Sequence, residues 1–207
     1  MIKDITSCTD TSANMTTNNR EENRRIAQFN RTIRNHLFTS RFNDETKNRN
    51  AEYRATKIPK GCLYGAPYMI TRRVSQGTNI MVLEMNNDTN QIFGIGLIKN
   101  IPYYNKYRLY NDKIDGFEDY NRYVYVGKYH IKRDEMTEKE EEVMKVFDEL
   151  CFKGHMHMKR GQGLRAFPLK ILWRTQHILD LRGYVEKMFK RRFFKKEPNK
   201  EMEPHAL

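Results

Sequence analysis

The stretch from Ile80 to Asn100 limits the fold more than any other. It reads IMVLEM, then Asn86-Asn87-Asp88-Thr89-Asn90, then QIFGIGLIK. Two apolar runs of strand length flank a cluster of turn-forming residues, which predicts a β-hairpin with a loop longer than two residues. Both runs are mostly apolar rather than alternating, the pattern of buried strands. Gly94 and Gly96 stand two apart, so they face one side of the second strand. Glycine there predicts a bulge, a tight bend or the close approach of another backbone.

Further strands are expected on either side. Leu63–Arg72 carries Tyr64, Tyr68, Met69 and Ile70 between Gly61 and Gly77. Arg122–Lys132 reads RYVYVGKYHIK, with Tyr123, Tyr125, Gly127 and Tyr129 alternating with Val124, Val126, Lys128 and His130. The aromatic and charged segment Tyr103–Tyr120 reads as a long loop. A helix should then open at Thr137, because Thr137 and Glu140 have the spacing of a capping box. Val143, Phe147 and Leu150 form its apolar stripe. Asp134–Leu150 holds eight acids and two bases, a net −6, with the acids gathered where they suit the helix dipole. That helix reads as structural rather than as a nucleic-acid contact.

Toward the start, Ile26, Phe29, Ile33 and Leu37 recur at helical spacing and predict an amphipathic helix over about 20–38. Residues 1–19 are Thr-, Ser- and Asn-rich and read as a disordered arm, and 39–57 as a polar linker. The organisation expected is a polar arm over 1–57 with one helix, a single α+β domain over 58–196, and a frayed tail over 197–207. No run approaches the roughly 18 apolar residues of a membrane span, and the start has no apolar signal-peptide core. Cys8, Cys62 and Cys151 are far apart and odd in number, which predicts an intracellular, reducing compartment rather than a disulfide framework.

Charge supplies the functional lead. The chain has 207 residues and a formal net charge of +12. From Phe152 to Lys196, thirteen Lys and Arg stand against Asp180 and Glu186, a net +11. Such a concentration predicts a polyanion partner: nucleic acid first, an anionic membrane or an acidic protein as alternatives. Within it, Lys159-Arg160-Gly161-Gln162-Gly163-Leu164-Arg165 places flexible, amide-exposing glycines beside three cations, a suitable cradle for phosphate. It is neither a Walker loop nor a dinucleotide-binding turn. Lys170, Arg174 and the run Lys190-Arg191-Arg192 would widen the basic track. Trp173, between Lys170 and Arg174, is either core or a stacking platform for a base. The candidate nucleic-acid-binding residues are thus Lys159, Arg160, Gln162, Arg165, Lys170, Trp173, Arg174, Lys190, Arg191 and Arg192. The tail KMFKRRFFKK would also suit an anionic membrane surface.

Evidence for catalysis is thin, and no cofactor motif is present. Glu84, Asp88 and the loop acids Asp112, Asp115, Glu118 and Asp119 are the only candidates for the metal-binding carboxylates of a nuclease. His155 and His157 could sit on one strand face as metal ligands, with Cys151 four residues away, but further donors are missing. Surface or core histidine is the better account.

Two resemblances follow from these segments. Tyr64-Gly65-Ala66-Pro67, VLEMNNDTNQIFGIGLIKN, RYVYVGKYHIKRDEM and GHMHMKRGQGLRAFP resemble a family of proteins from large nucleocytoplasmic DNA viruses of eukaryotes. That resemblance implies a virus-encoded source, hence a host cell's cytoplasm or nucleus, or the virion. It implies no activity. The order of strand, Asn-rich turn, Gly-x-Gly strand and basic segment is similar to the PUA-like superfamily, which includes EVE, ASCH and YTH domains. It implies a small, strongly bent β-sheet or β-barrel with flanking helices, and binding of RNA or DNA, in several members by a modified base held in an aromatic pocket. No binding residue is carried over from it. The function expected is nucleic-acid binding without catalysis, with a viral structural or assembly role as the alternative and a nuclease after that.

Overall fold

The computed structural model describes residues 9–33, 36–58, 61–104, 106–110, 118–155 and 157–194. In chain order the elements are α1 (Thr9–Ile33), β1 (Leu37–Phe42), α2 (Asp44–Lys57), β2 (Cys62–Ala66), β3 (Asn79–Asn86), β4 (Gln91–Lys99), β5 (Tyr103–Tyr104), β6 (Tyr123–Gly127), β7 (Tyr129–Lys132), α3 (Glu138–Phe152), β8 (Arg165–Ala166), α4 (Leu169–Thr175) and α5 (Leu181–Phe193). The fold is α+β. Among these residues no helix is long and apolar enough to cross a membrane.

The expected hairpin is β3 and β4, paired from Asn79–Lys99 to Asn86–Gln91. The register shifts between Glu84 and Met85: Glu84 faces Gly94 while Met85 faces Ile92. Phe93 is the extra residue of this bulge, so Phe93 and Gly94 share one side and Ile92 and Ile95 the other. Phe93 packs edge-on to Phe42, with ring centroids 5.4 Å apart.

The hairpin is the middle of a five-stranded sheet, ordered β7-β4-β3-β1-β8. β1 runs parallel to β3, with Leu37 beside Met81 and Phe42 beside Asn86. A second sheet, ordered β2-β6-β5, lies against it. Period-two alternation divides the cores. Leu37, Met81, Leu83, Met85 and Ile95 face one way and pack under α3, α4 and α5 through Phe147, Leu172, Val185 and Met188. Phe38, Ile80, Val82 and Ile98 face the other way, onto Cys62, Tyr64 and Tyr125 of the second sheet. Leu63 and Val124 turn outward from that sheet to Leu109 and Tyr110, with Tyr53 of α2 alongside.

The helix expected over about 20–38 is α1, Thr9–Ile33, which reaches into the arm expected to be disordered and leaves Leu37 to β1. Three further expectations change. The segment 39–57 is not a linker: β1 fills a central position in the larger sheet, and α2 follows it directly. β1 was hidden because Thr39 and Ser40 are buried within it, and α2 because only Asn50 of its fourteen residues is buried. Second, the strand expected over Arg122–Lys132 is two strands. β6 belongs to the small sheet and β7 to the large one, with the chain crossing over at Lys128. Third, the barrel alternative is not realised, because the two sheets remain open. β7 pairs only with Gly94–Leu97, and among the described residues no strand joins β2 to β8. The capping box at Thr137 and Glu140 is formed as expected, with each side chain bonded to the other's backbone N–H.

Candidate functional site

A cleft of about 220 Å³ opens at the carboxyl end of β1. Its floor is Ser40 and Phe42, one side is the start of α2 at Asn43 and Thr46, and the rim is Gly161 and Gly163. Tyr110 and Tyr120 form the aromatic wall, their rings 6.1 Å apart and edge to face. Asn121 braces this wall by accepting from the Leu109 and Tyr110 N–H groups at 2.8 and 3.1 Å.

Arg41 is the keystone of the rim. β1 presents it beneath the 158–163 loop, where it donates to the carbonyls of Met158 (3.3 Å), Gly161 (3.1 Å) and Gly163 (3.0 Å). The loop can present these oxygens because Gly161 and Gly163 take φ of 110° and 63°, which side-chain-bearing residues rarely adopt. A side-chain carbon on Gly161 would lie 3.7 Å from Arg165 Nε and 3.8 Å from Arg41 Nη2, so both guanidinium groups converge there. Burial first, and then the nearby Arg165, push Arg41 below the ordinary arginine pKa. Tyr120 acts in the opposite direction on Arg41, and its own hydroxyl is pushed up by burial despite a hydrogen bond from the Gly163 backbone. Among the described residues no carboxylate lines the cleft. Among the described residues Lys159, Arg160 and Arg165 form no ion pair, and Gln162 is exposed. Asn87, on the cleft wall, donates to the Lys159 carbonyl at 3.1 Å. Its Oδ1 is shut from solvent with no hydrogen-bond partner among the described residues.

The α2 N-terminus faces this region but is not an anion site. Asp88 already accepts from the Asp44 N–H at 2.8 Å, and Asn43 and Thr46 cap each other.

The remaining expected contacts are placed elsewhere. Arg191 and Arg192 reach Glu140 of α3 at 3.2 and 2.7 Å, and Arg192 also donates to the Glu135 carbonyl. Lys190 pairs with Glu186 at 2.7 Å. Lys170 and Arg174 flank Glu22 of α1 at 3.7 and 3.2 Å. Trp173 packs edge-on against Phe29 of the same helix at 5.3 Å. The acidic helix and the basic tail, separate in sequence, thus offset each other in space. Of the ten expected residues none lines the cleft itself; Lys159, Arg160, Gln162 and Arg165 flank Gly161 and Gly163, which do. Sequence reading missed Arg41, Asn87, Tyr110 and Tyr120. The signal available was the rarity of an arginine inside an otherwise buried strand, LFTSRF.

Among the described residues the candidate nuclease acids Glu84, Asp88 and Asp119 do not assemble. Glu84 is 1% exposed and lies between the sheets. Tyr64 donates to it at 2.8 Å, His130 Nε2 sits 2.9 Å from its other oxygen, and Arg54 is 3.7 Å away. Burial pushes this carboxyl up, but His130, Arg54 and Tyr64 together hold it below the usual range. Asp88 is spent on capping α2, and Asp119 is exposed. Asp112 and Asp115 lie outside the described residues, as does the side chain of Glu118. His155 is exposed and Cys151 is buried beneath Phe147. Among the described residues no group of three metal-ligating side chains forms.

No family model, no curated protein and no solved structure matches this chain.

Proposed function

We propose that the chain binds nucleic acid at this cleft, taking one unstacked base against Tyr110 and Tyr120 and holding the adjoining phosphates with Lys159, Arg160 and Arg165. One observation carries the reading: Arg41 and Arg165 converge on Gly161, and no carboxylate among the described residues lines the cleft. Like charges held together at a partly buried site repel, and a phosphate would remove that cost. The cleft suits a base rather than a large ligand, since 220 Å³ is below the roughly 300–1,000 Å³ of sites for drug-sized molecules. The unpartnered Oδ1 of Asn87 would accept from an N–H on the base edge.

A PUA-like architecture is part of the proposal. The chain crossing from β6 to β7 and the close approach of Tyr64 and Cys62 of the second sheet at Gly96 support a bent sheet of that kind. So is an intracellular setting, which the two buried free thiols, Cys62 and Cys151, suit. The test is fluorescence anisotropy with single-stranded RNA and DNA at about 50 mM salt, then at rising salt. The expected result is micromolar or tighter binding that weakens steeply with salt. Absence of binding at the low-salt point would overturn the proposal. Trp173 fluorescence should stay unchanged on binding, because its ring is packed on α1.

A second reading, contact with an anionic membrane, is favoured by the aromatic surface at the end of α5. Phe193 and Phe194 pack on Tyr129 yet remain 37% and 51% exposed, with Lys99 and Lys128 alongside. Aromatic rings beside cations are the composition of interfacial contacts. Flotation with phosphatidylserine vesicles, abolished by Phe193→Ser with Phe194→Ser, would support it. Wild-type protein remaining unbound would dismiss it.

A further inference from the structure

The outer face of α1 carries cations that the fold does not use. The inner face is marked by Glu22, which pairs with Lys170 and Arg174 of α4, and by Phe29 and Ile33, which pack on the main core, Phe29 edge-on to Trp173. Arg20, Arg24 and Arg31 recur at spacings of four and seven, so they form one row about 170° around the axis from that face. All three are exposed, and none forms an ion pair among the described residues. The row spans about 17 Å at the helical rise. Between its ends the only acids are Glu21 and Glu22. Glu21 is held by Arg25 at 2.7 Å and Glu22 by the two cations of α4, so neither offsets the row. Arg20 and Arg24 stand four apart, where like charges on a helix repel.

Arg31 belongs to a second feature as well. It lines an open hollow of about 640 Å³ together with Thr71, Arg73, Ser75 and Thr78. Arg73 is exposed and forms no ion pair among the described residues, and no carboxylate among them lines the hollow. Guanidinium groups beside hydroxyls are donors suited to phosphate oxygens. The row also lacks what recognition of an unpaired base needs. Phe29 is the only aromatic residue of α1, and its ring is packed on Trp173. Without a stacking ring the outer face can meet only the sugar-phosphate backbone, and paired bases do not obstruct that contact.

We propose that the outer face of α1, through Arg20, Arg24 and Arg31 and with Arg73 beside Arg31, binds the phosphate backbone of duplex nucleic acid without regard to sequence. The inference shares its ligand class with the cleft reading but none of its residues, so either can fail without the other. A duplex separates the two, because the cleft admits a base only after it has left the stack.

The test is fluorescence anisotropy with a mixed-sequence duplex of about twenty base pairs across a salt series. Arg20→Ala combined with Arg24→Ala and Arg31→Ala should weaken binding about tenfold or more at the low-salt end and lower the log–log salt slope by about 2.7, or about 0.9 for each lost contact. Arg73→Ala alone should lower it by about 0.9. A charge-matched control, Lys139→Ala with Lys145→Ala and Lys153→Ala at exposed positions along α3 and its end, should stay within about twofold of the wild type. Lysine at the three arginine positions should keep most of the slope, because it meets phosphate as a point charge. The alanine variant should melt no lower than the wild type, since alanine favours helix and the like-charge repulsion is gone. Absence of duplex binding by the wild type, an unchanged slope in the alanine variant, or an equal loss in the control would overturn the inference. If the α1 variant loses the duplex while Lys159→Ala, Arg160→Ala and Arg165→Ala together leave a short single strand bound as before, the inference stands and the cleft reading falls. The reverse pattern overturns the inference and leaves the cleft as the binding site.

Discussion

Glu84 carries a carboxylate into the seam between the sheets, where it is 1% exposed, and three side chains from three elements converge on it. Removing one partner from such a network leaves the others buried and unpaired. Glu84→Ala should therefore cost about 3–5 kcal/mol in a urea titration; a loss under about 1 kcal/mol would mean that the cluster contributes little. The network also has a pH signature. Because the folded-state pKa of Glu84 lies below its unfolded value of about 4.3, its stabilisation is complete above that pH and disappears as pH falls through the folded value. Glu84→Gln should flatten the acid limb of the stability curve. The two glycines noticed in β4 have their explanation here. A side-chain carbon on Gly96 would overlap Tyr64 Oη and crowd Cys62 Sγ at 2.6 Å. Gly96→Ala should lower stability by about 1–3 kcal/mol, read as a fall in Tm. The sequence predicted a bulge, a bend or a close approach at Gly94 and Gly96; it did not show which groups come near, because Tyr64, Glu84 and His130 are brought together only by strand register.

Elements with strong local signals were legible, and those held by tertiary packing were not. The β3–β4 hairpin and the Thr137 capping box are written in turn residues and caps. β1 and α2 lack such marks. Asn50 of α2 is tied down by donating to the Leu63 carbonyl at 2.8 Å, a contact thirteen residues away that no periodicity encodes. The same limit affected the reading of charge. Summed along the chain, the C-terminal third is a polycationic track; folded, much of it is attachment. Arg192→Ala should destabilise the protein by about 1 kcal/mol, since it removes a charged hydrogen bond to the 5%-exposed Glu140 side chain. It should leave the salt dependence of nucleic-acid binding unchanged. A lowered salt slope in that variant would return α5 to the binding surface. α3 is fastened separately: Arg133 bridges Glu141 at 2.6 Å, Asp148 at 2.8 Å and the Ile92 carbonyl at 2.7 Å. Arg133→Met should loosen α3 from β4, detectable as faster hydrogen exchange across Glu141–Phe152.

At the scale of the molecule, helices, large sheet, small sheet and α2 form successive layers, and the cleft opens where β1 leaves the interior. The net charge of +12 supplies general attraction to any polyanion, but attraction alone does not locate a site. The location comes from where cations form no ion pair among the described residues: at Lys159, Arg160 and Arg165 beside Arg41, and not along Lys190–Arg192. The most direct measurement compares two triple variants for affinity to a short single strand at about 50 mM salt. One carries Lys159→Ala, Arg160→Ala and Arg165→Ala; the other carries Lys190→Ala, Arg191→Ala and Arg192→Ala. Each removes the same formal charge. The cleft account requires the first to lose tenfold or more, about 1.4 kcal/mol, while the second stays within about twofold of the wild type after correction for any unfolded fraction. Equal losses, or a larger loss in the second, would contradict it.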